Sequence, residues 1–162
     1  MMKSALLIVD MQKGCKGETS KESMESALEY INHMSRVFRE NKQLIVLIQD
    51  VEVGGGQGSV EFELLDEVEV SNQDIVIHKK HCNAFWETEL DKILKENGVE
   101  FVAVCGFAAE YCVLFTYNGA CERGYCTALL QHGIASADMN EVKTIQVKRP
   151  VISHEALEYF LK

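Results

Sequence analysis

Short, continuous runs of apolar residues alternate with longer amphipathic segments along this chain. In chain order the apolar runs occupy residues 5–9, 44–48, 75–77, 101–104, 125–130 and 150–152. A short apolar run without polar alternation is typical of a strand that is covered on both faces, as in the middle of a parallel sheet. The pattern therefore predicts a sheet of buried strands, with the last and shortest run as an edge strand.

The segments between the runs predict helices. Apolar residues recur at helical spacing over residues 19–41, where Thr19 and Glu22 form a capping-box pattern. A second helix is predicted over 88–97, and a third from Gly106 to about residue 123. Ser153 is placed to cap a final helix that ends at residue 161.

Strands that alternate with helices predict an α/β fold. We expect a three-layer α/β/α sandwich around a mostly parallel sheet of five or six strands. A length of 162 residues with 47% hydrophobic content is enough for one sizeable core, and no linker or repeat divides the chain. A single domain over residues 1–162 is predicted.

Charge and composition narrow the classes of function. The 25 acidic and 16 basic residues give a net charge of -9, which disfavours binding to nucleic acid and to anionic membranes. No apolar run is long enough to span a membrane, and the first ends at Asp10, too short for a signal peptide. The six cysteines contain no CxxC pair and are interpreted as reduced thiols. A soluble, cytoplasmic protein is predicted.

Polar residues that follow the apolar runs are the candidates for chemistry, because ligands bind beyond the carboxyl ends of parallel strands. Asp10 follows the first run, Lys79 the third, and Cys112 lies in the segment after the fourth. In the predicted first turn of its helix, Cys112 meets unpaired N–H groups and a helix dipole that favour a thiolate. A carboxylate at Asp10 can accept the thiol proton and later activate water, and Lys79 adds positive charge.

Three segments carry a family resemblance. Residues 7–12 (LIVDMQ), 79–85 (KKHCNAF) and 106–113 (GFAAEYCV) resemble the three motifs of the isochorismatase-like superfamily of cysteine hydrolases, which includes nicotinamidases. The resemblance implies a Rossmann-like fold with Asp10 as general base, Lys79 as catalytic lysine and Cys112 as nucleophile. It also implies an oxyanion hole formed by the backbone N–H groups of Ala108 and Cys112, with a cis peptide before Ala108.

The implied reaction is hydrolysis of a small amide-like substrate through a thioester on the cysteine, without a cofactor. Relatives of this kind commonly form dimers or larger homo-oligomers, so the partners expected are a small-molecule substrate and further copies of the chain. Two alternatives stay open. The domain could be an inactive binding or scaffold module, or the hydrolase could act on a vinyl ether or a carbamoyl group.

The sequence also departs from the resemblance. Nicotinamidases carry an Asp-x-His pattern after the second strand, whereas here Asp50 is followed by no histidine before His78, so no metal site is predicted. Asn83 replaces a common serine. Four aromatic residues near the motifs are candidates to line a substrate pocket, although core packing is equally typical of such positions; they are Phe85, Trp86, Phe107 and Tyr111.

Overall fold

The strands of the protein form one parallel sheet. The structure, a computed structural model, describes residues 2–17 and 19–162. The strands are β1 (Ser4–Val9), β2 (Leu44–Asp50), β3 (Ile75–Lys79), β4 (Phe101–Phe107), β5 (Cys126–Ala135) and β6 (Val151–Ile152). They pair in the order β3-β2-β1-β4-β5-β6, and every pairing is parallel. The predicted α/β fold is confirmed, with a sheet that is wholly rather than mostly parallel.

Helices cover both faces of the sheet. They are α1 (Lys13–Lys16), α2 (Lys21–Glu40), α3 (Leu90–Glu96), a π-helical turn (Ala109–Val113), α4 (Leu114–Glu122), α5 (Met139–Lys148) and α6 (His154–Leu161). Alternate residues of β1 point into two separate cores, as period-2 geometry requires. Leu6 and Ile8 pack against α2 and α6, while Ala5, Leu7 and Val9 pack against α3, α4 and α5. These two cores make the predicted three layers.

The N-terminal ends of two helices differ from the sequence prediction. Ser20, rather than Thr19, caps α2, since its side chain accepts a hydrogen bond from the N–H of Ser23 at 3.2 Å. The Thr19 hydroxyl instead donates to the carbonyl of Cys15 at 2.7 Å. Helix α3 begins at Leu90, two residues later than predicted. Thr19 and Ser20 both carry a hydroxyl group that can cap a helix, so the sequence alone did not distinguish them. The backbone geometry places Ser20 at the N-cap of α2.

The region after β4 holds the larger departures. Strand β5 extends to Ala135, five residues beyond the predicted end, because its register against β4 shifts between Val104 and Gly106. Helix α5 occupies a segment for which no element was predicted. It buries Val142 and Ile145 but leaves Val147 87% exposed, so its apolar face is too narrow for a clear helical pattern.

Gly106 allows β4 to approach the end of β1. Its φ of +113° is a conformation that favours glycine, and a Cβ added there would lie 2.0 Å from the carbonyl oxygen of Val9. The strand that leads to Cys112 therefore runs directly beside the residue that precedes Asp10. Within the described ranges, no helix has the length and apolar character needed to cross a membrane.

Candidate active site

Side chains from four separate segments converge at the carboxyl edge of the sheet. Asp10 directly follows β1, Asp50 ends β2, Lys79 ends β3, and Cys112 lies in the π-helical turn that follows β4. The ammonium nitrogen of Lys79 is the centre of the group. Its Nζ lies 2.8 Å from Asp10 Oδ2 and 2.7 Å from Asp50 Oδ2, and it donates to Cys112 Sγ at 3.3 Å.

Lys79 is one of the largest fully buried side chains of the protein, at 1% exposure. A buried ammonium group is stable only when it is paired with negative charge, and here two carboxylates and a sulfur atom surround it. Burial by itself lowers the pKa of Lys79. Attraction to Asp10, and to the sulfur of Cys112 when it is ionised, together with the hydrogen bonds to both carboxylates outweighs burial and raises the pKa above its usual range, so the group stays protonated.

Asp10 is a buried carboxylate whose pKa is raised to about 6, because burial outweighs the attraction of Lys79. Its φ of 49° is a left-handed conformation that turns the chain sharply at the end of β1. One oxygen, Oδ2, faces Lys79. The other, Oδ1, is buried and has no hydrogen-bond partner within the described residues. Asp10 is thus mostly ionised at neutral pH and has one oxygen available to accept a proton.

Cys112 differs from the sequence expectation in its ionisation. Burial and the negative charge of Asp10 raise the pKa of the thiol above its usual range, and the opposing effect of Lys79 is smaller. Cys112 does lie at the start of a helix, as predicted. This first turn is π-helical and has Ala108 at its N-cap. The peptide between Phe107 and Ala108 is cis, as the resemblance implies. In the resting site the sulfur is therefore a neutral thiol rather than the expected thiolate.

Asp50 is the member of the group that sequence reasoning missed as a partner of Lys79. The signal was available, because Asp50 follows β2 just as Asp10 follows β1, and the two strands are neighbours. The side-chain amide of Gln12 fixes the backbone of Asp50. Its Oε1 accepts from the N–H of Asp50 at 2.8 Å, and its Nε2 donates to the carbonyl of Asp50 at 3.1 Å.

The same glutamine anchors the loop that follows β2. The carbonyl of Phe62 accepts hydrogen bonds from the Nε2 atoms of both Gln12 and Gln49, each at 2.9 Å. Both glutamine side chains are buried. Between these anchored ends the chain passes through a glycine-rich stretch, residues 54–58. It then returns to the segment after β1, where the N–H groups of Gly14 and Lys13 donate to the carbonyls of Glu61 and Glu63.

A cavity of about 270 Å³ opens beside Cys112. Its lining residues are Asp10, Cys15, Asp50, Val53, Phe107, Ala108, Glu110, Tyr111, Cys112 and Ala137. A cavity of this size suits a small molecule, and its walls combine apolar side chains with a few polar groups, as ligand sites commonly do. Two of the four predicted aromatic residues, Phe107 and Tyr111, line this cavity.

The other two aromatic residues lie elsewhere. Phe85 is buried in the core against α3 and α4, where its ring stacks on Tyr125 with 6.2 Å between ring centroids. Trp86 is 56% exposed and stacks on the ring of His81 at 4.0 Å. Neither is among the described residues that line the cavity. Their sequence positions beside the Lys79 motif gave no information on which way the side chains point.

Ligand atoms of Asp10, Asp50 and Cys112 lie within 4.8 Å of one another, a spacing that a metal ion could bridge. Lys79 already places an ammonium group against all three atoms. A divalent cation there would meet a buried positive charge at short range, and no histidine is among the described residues that line the cavity. The site therefore does not fit a metal ion.

Comparison with known proteins agrees with this geometry. A profile of the isochorismatase domain matches residues 4–152. The chain belongs to the isochorismatase family. An uncharacterised isochorismatase family protein of Bacillus subtilis, YaaI, is 30% identical over 146 residues, which cover 82% of this chain and 80% of that protein.

Two further family relatives have named activities. A streptothricin hydrolase of Streptomyces noursei is 28% identical over 171 residues, covering 97% of this chain and 64% of that enzyme. The crystal structure of an N-carbamoylsarcosine amidase from Thermoplasma acidophilum superimposes with a TM-score of 0.82 at 26% identity, covering 94% of this chain and 96% of that one. The isochorismatase family assignment identifies this chain as a hydrolase, and these two relatives are a named hydrolase and a named amidase.

Proposed function

We propose that the protein is a cysteine hydrolase of a small amide-like substrate, with Cys112 as nucleophile and Asp10 as general base. Lys79 positions both side chains through its ion pair with Asp10 and its hydrogen bond to Cys112. The observation that supports this most strongly is the position of the Lys79 ammonium, 2.8 Å from Asp10 Oδ2 and 3.3 Å from Cys112 Sγ, two residues that line a small cavity. Three residues distant in sequence meet where parallel sheets bind ligands.

The first step joins proton transfer to nucleophilic attack. The thiol proton of Cys112 passes to the ionised carboxylate of Asp10 as the sulfur bonds to the carbonyl carbon of the substrate. A base with a pKa of about 6 is well matched to a reaction near neutral pH, since it is mostly ionised there yet can hold a proton. Lys79 lowers the cost of the transient thiolate by its positive charge.

The tetrahedral intermediate then collapses. We assign stabilisation of the negative charge on the carbonyl oxygen to the backbone N–H groups of Ala108 and Cys112, two residues that line the cavity. The carbon–nitrogen bond breaks, Asp10 returns its proton to the leaving nitrogen, and an amine or ammonia departs. A thioester remains on Cys112.

Hydrolysis of the thioester completes the cycle. Asp10, ionised again, takes a proton from a water molecule as the oxygen attacks the thioester carbon. The carbon–sulfur bond breaks, the proton returns to the sulfur, and a carboxylic acid leaves. A carbamoyl substrate is the second candidate, favoured by the likeness to N-carbamoylsarcosine amidase. Ammonia would leave in the first step, and hydrolysis of the thioester would give a carbamic acid that breaks down to carbon dioxide and an amine, so release of carbon dioxide separates this substrate from a simple amide.

We further propose that the protein works in the cytoplasm as a homo-oligomer. Five of its cysteines, at positions 82, 105, 112, 121 and 126, carry free thiols, which suits a reducing compartment. Sedimentation of the purified protein tests the oligomeric state.

The proposed function is tested by ammonia release from a panel of small amides and ureido compounds. We expect Cys112→Ala to lose turnover by at least about a thousandfold, with an unfolding transition close to that of the parent. Cys121→Ala, which removes an exposed thiol on α4, is the matched control and should keep full activity. Parental rates in Cys112→Ala would refute Cys112 as the nucleophile, and an inactive parent across the whole panel would favour the scaffold alternative.

A further inference from the structure

Asp50 gives Lys79 a second carboxylate, which takes no part in the steps of the proposed reaction. Its Oδ2 lies 2.7 Å from the Nζ of Lys79, and Asp10 Oδ2 lies 2.8 Å from the same nitrogen. An ammonium group has three protons and no lone pair. Asp10, Asp50 and the sulfur of Cys112 together supply one acceptor for each proton. The three contacts therefore fix the orientation of the ammonium group.

The carboxylate and the backbone of Asp50 are both held in place. Its Oδ1 accepts from the backbone N–H of Glu52 at 2.8 Å, so each of its two oxygens has a partner. Its backbone N–H and carbonyl are paired with the side-chain amide of Gln12. Asp50 is also the register partner of Lys79 in the pairing of β2 with β3. This arrangement suits a residue that holds a fixed position.

The two carboxylates beside Lys79 differ in their capacity to take up a proton. Asp10 contacts Lys79 through Oδ2, and its Oδ1 has no hydrogen-bond partner within residues 2–17 and 19–162. Both oxygens of Asp50 already accept hydrogen bonds, one from a charged donor. Asp10 can therefore exchange a proton, whereas protonation of Asp50 would break a contact that is already made.

Proton transfer in the first proposed step moves a negative charge around Lys79. The charge leaves the carboxylate of Asp10 and arises on the sulfur of Cys112, and both atoms lie beside the ammonium. Asp50 keeps its charge and its contact throughout this step. The buried ammonium is thus never without a carboxylate, and a buried charge that loses its partner is costly.

The charge of Asp50 also acts on Asp10, since an oxygen of each carboxylate lies within 4.8 Å of the other. Burial is the main cause of the raised pKa of Asp10; Lys79 lowers this pKa, and Asp50 raises it. By pairing with Lys79, Asp50 offsets part of the attraction that keeps Asp10 ionised. Within the described residues, the charged or titratable groups around Asp10 are Asp50 of β2, Lys79 of β3, Cys112 and Glu110 of the π-helical turn, and Cys15 of α1.

We propose that Asp50 is a positioning residue of the reaction, which holds the Lys79 ammonium between base and nucleophile and so sets the pH range in which Asp10 accepts the thiol proton. This inference rests on the proposed function, since it takes Asp10 as base and Cys112 as nucleophile. It adds to them a fourth residue, which acts through Lys79.

The direct test follows the proton on Asp10 and does not depend on turnover. Protein labelled with 13C at the aspartate Cγ gives carboxyl NMR signals that move on ionisation, and Asp10→Asn identifies the signal of Asp10 by its loss. This signal should report a pKa of about 6 in the parent. Asp50→Asn keeps an oxygen for Lys79 but removes the charge, and should lower the midpoint by about 1 pH unit. Asp66→Asn makes the same change at an exposed ion pair with Lys13 and should leave the midpoint unaltered.

The same shift should appear in catalysis. On an amide that the parent hydrolyses, the rising limb of kcat/KM against pH should move to lower pH in Asp50→Asn by the amount that the NMR midpoint moves. A purely structural role would lower the rates without moving this limb. Asp50→Ser also removes the charge and leaves space for a water molecule, so it is the second variant if Asp50→Asn does not fold.

An Asp10 midpoint that stays within about 0.3 pH unit of the parent in a folded neutral variant, or that moves to higher pH, would overturn the inference. So would an unmoved limb of kcat/KM in a variant whose Asp10 signal has shifted. Failure of both variants to fold would assign Asp50 to the fold rather than to the reaction. A shifted signal without any Cys112-dependent ammonia release would refute the proposed function and leave the coupling of Asp50 to Asp10 intact.

Discussion

Replacing Asp10, the proposed general base, by asparagine should abolish activity and at the same time stabilise the fold. The pKa of Asp10 is about 6 in the folded protein and 3.8 at its ordinary value, since burial disfavours the charged form. A raised acid pKa means that ionisation favours the unfolded chain. Its stabilising contribution is complete below the unfolded pKa and is lost as the pH rises through the folded pKa.

The magnitude follows from the difference between these two pKa values. At about 1.4 kcal/mol for each unit of pKa, ionisation of Asp10 costs about 3 kcal/mol of folding free energy at pH values above about 7. Asparagine resembles the protonated acid in shape and is uncharged. It also tolerates the left-handed backbone at this position, φ 49°, better than most non-glycine residues. The substitution therefore introduces little strain of its own.

Urea unfolding at two pH values checks the reasoning. At about pH 7.5 the free energy of unfolding of Asp10→Asn should exceed that of the parent by about 3 kcal/mol, and at about pH 4.5 the gain should shrink to about 1 kcal/mol. Asp66→Asn, at an exposed ion pair with Lys13, is the matched control and should change stability by less than about 0.5 kcal/mol at neutral pH. A variant that is less stable than the parent at pH 7.5, or equally stabilised at both pH values, would refute the argument.

Three further outcomes are expected. The value of kcat/KM should rise with pH through about 6 as Asp10 ionises and then level off, and a flat profile across that range would contradict its role as base. Lys79→Met should cost roughly 3–5 kcal/mol of unfolding free energy by leaving two buried carboxylates unpaired, and adding Asp50→Asn should restore part of it. Gly106→Ala should cost more than about 3 kcal/mol, because its Cβ would overlap the Val9 carbonyl. Melting temperatures should show a much smaller loss for Gly98→Ala, which has a positive φ but open space around it.

The sequence pattern predicted the central strands of the sheet better than the end of β5 and helix α5. Runs such as Leu44–Ile48 are apolar throughout because both faces of a central strand are covered, and this signal is local. The end of β5 at Ala135 is not local, since it depends on a register shift against β4. Helix α5 buries little more than Val142 and Ile145, so its pattern is weak.

The candidate site shows the same division between local and non-local information. The positions of Asp10, Lys79 and Cys112 could be predicted because topology alone brings strand ends together. The protonation of Cys112 could not, since it depends on how deeply the thiol is buried and on which of Asp10 and Lys79 acts on it more strongly. Phe85 illustrates a further limit, because the direction of an aromatic side chain from a loop is set by tertiary packing.

The double anchoring of the Phe62 carbonyl by Gln12 and Gln49 separates two parts of the molecule that lie close together. The cluster of Asp10, Asp50, Lys79 and Cys112 lies on the strand side of that anchor. The glycine-rich stretch 54–58 lies on the other side. Insertions or deletions in residues 54–58 can thus reshape this loop without disturbing the ion pairs of Lys79 with Asp10 and Asp50. Diversification of substrate range among descendants of this protein would then be concentrated in this loop, under a constant chemical core.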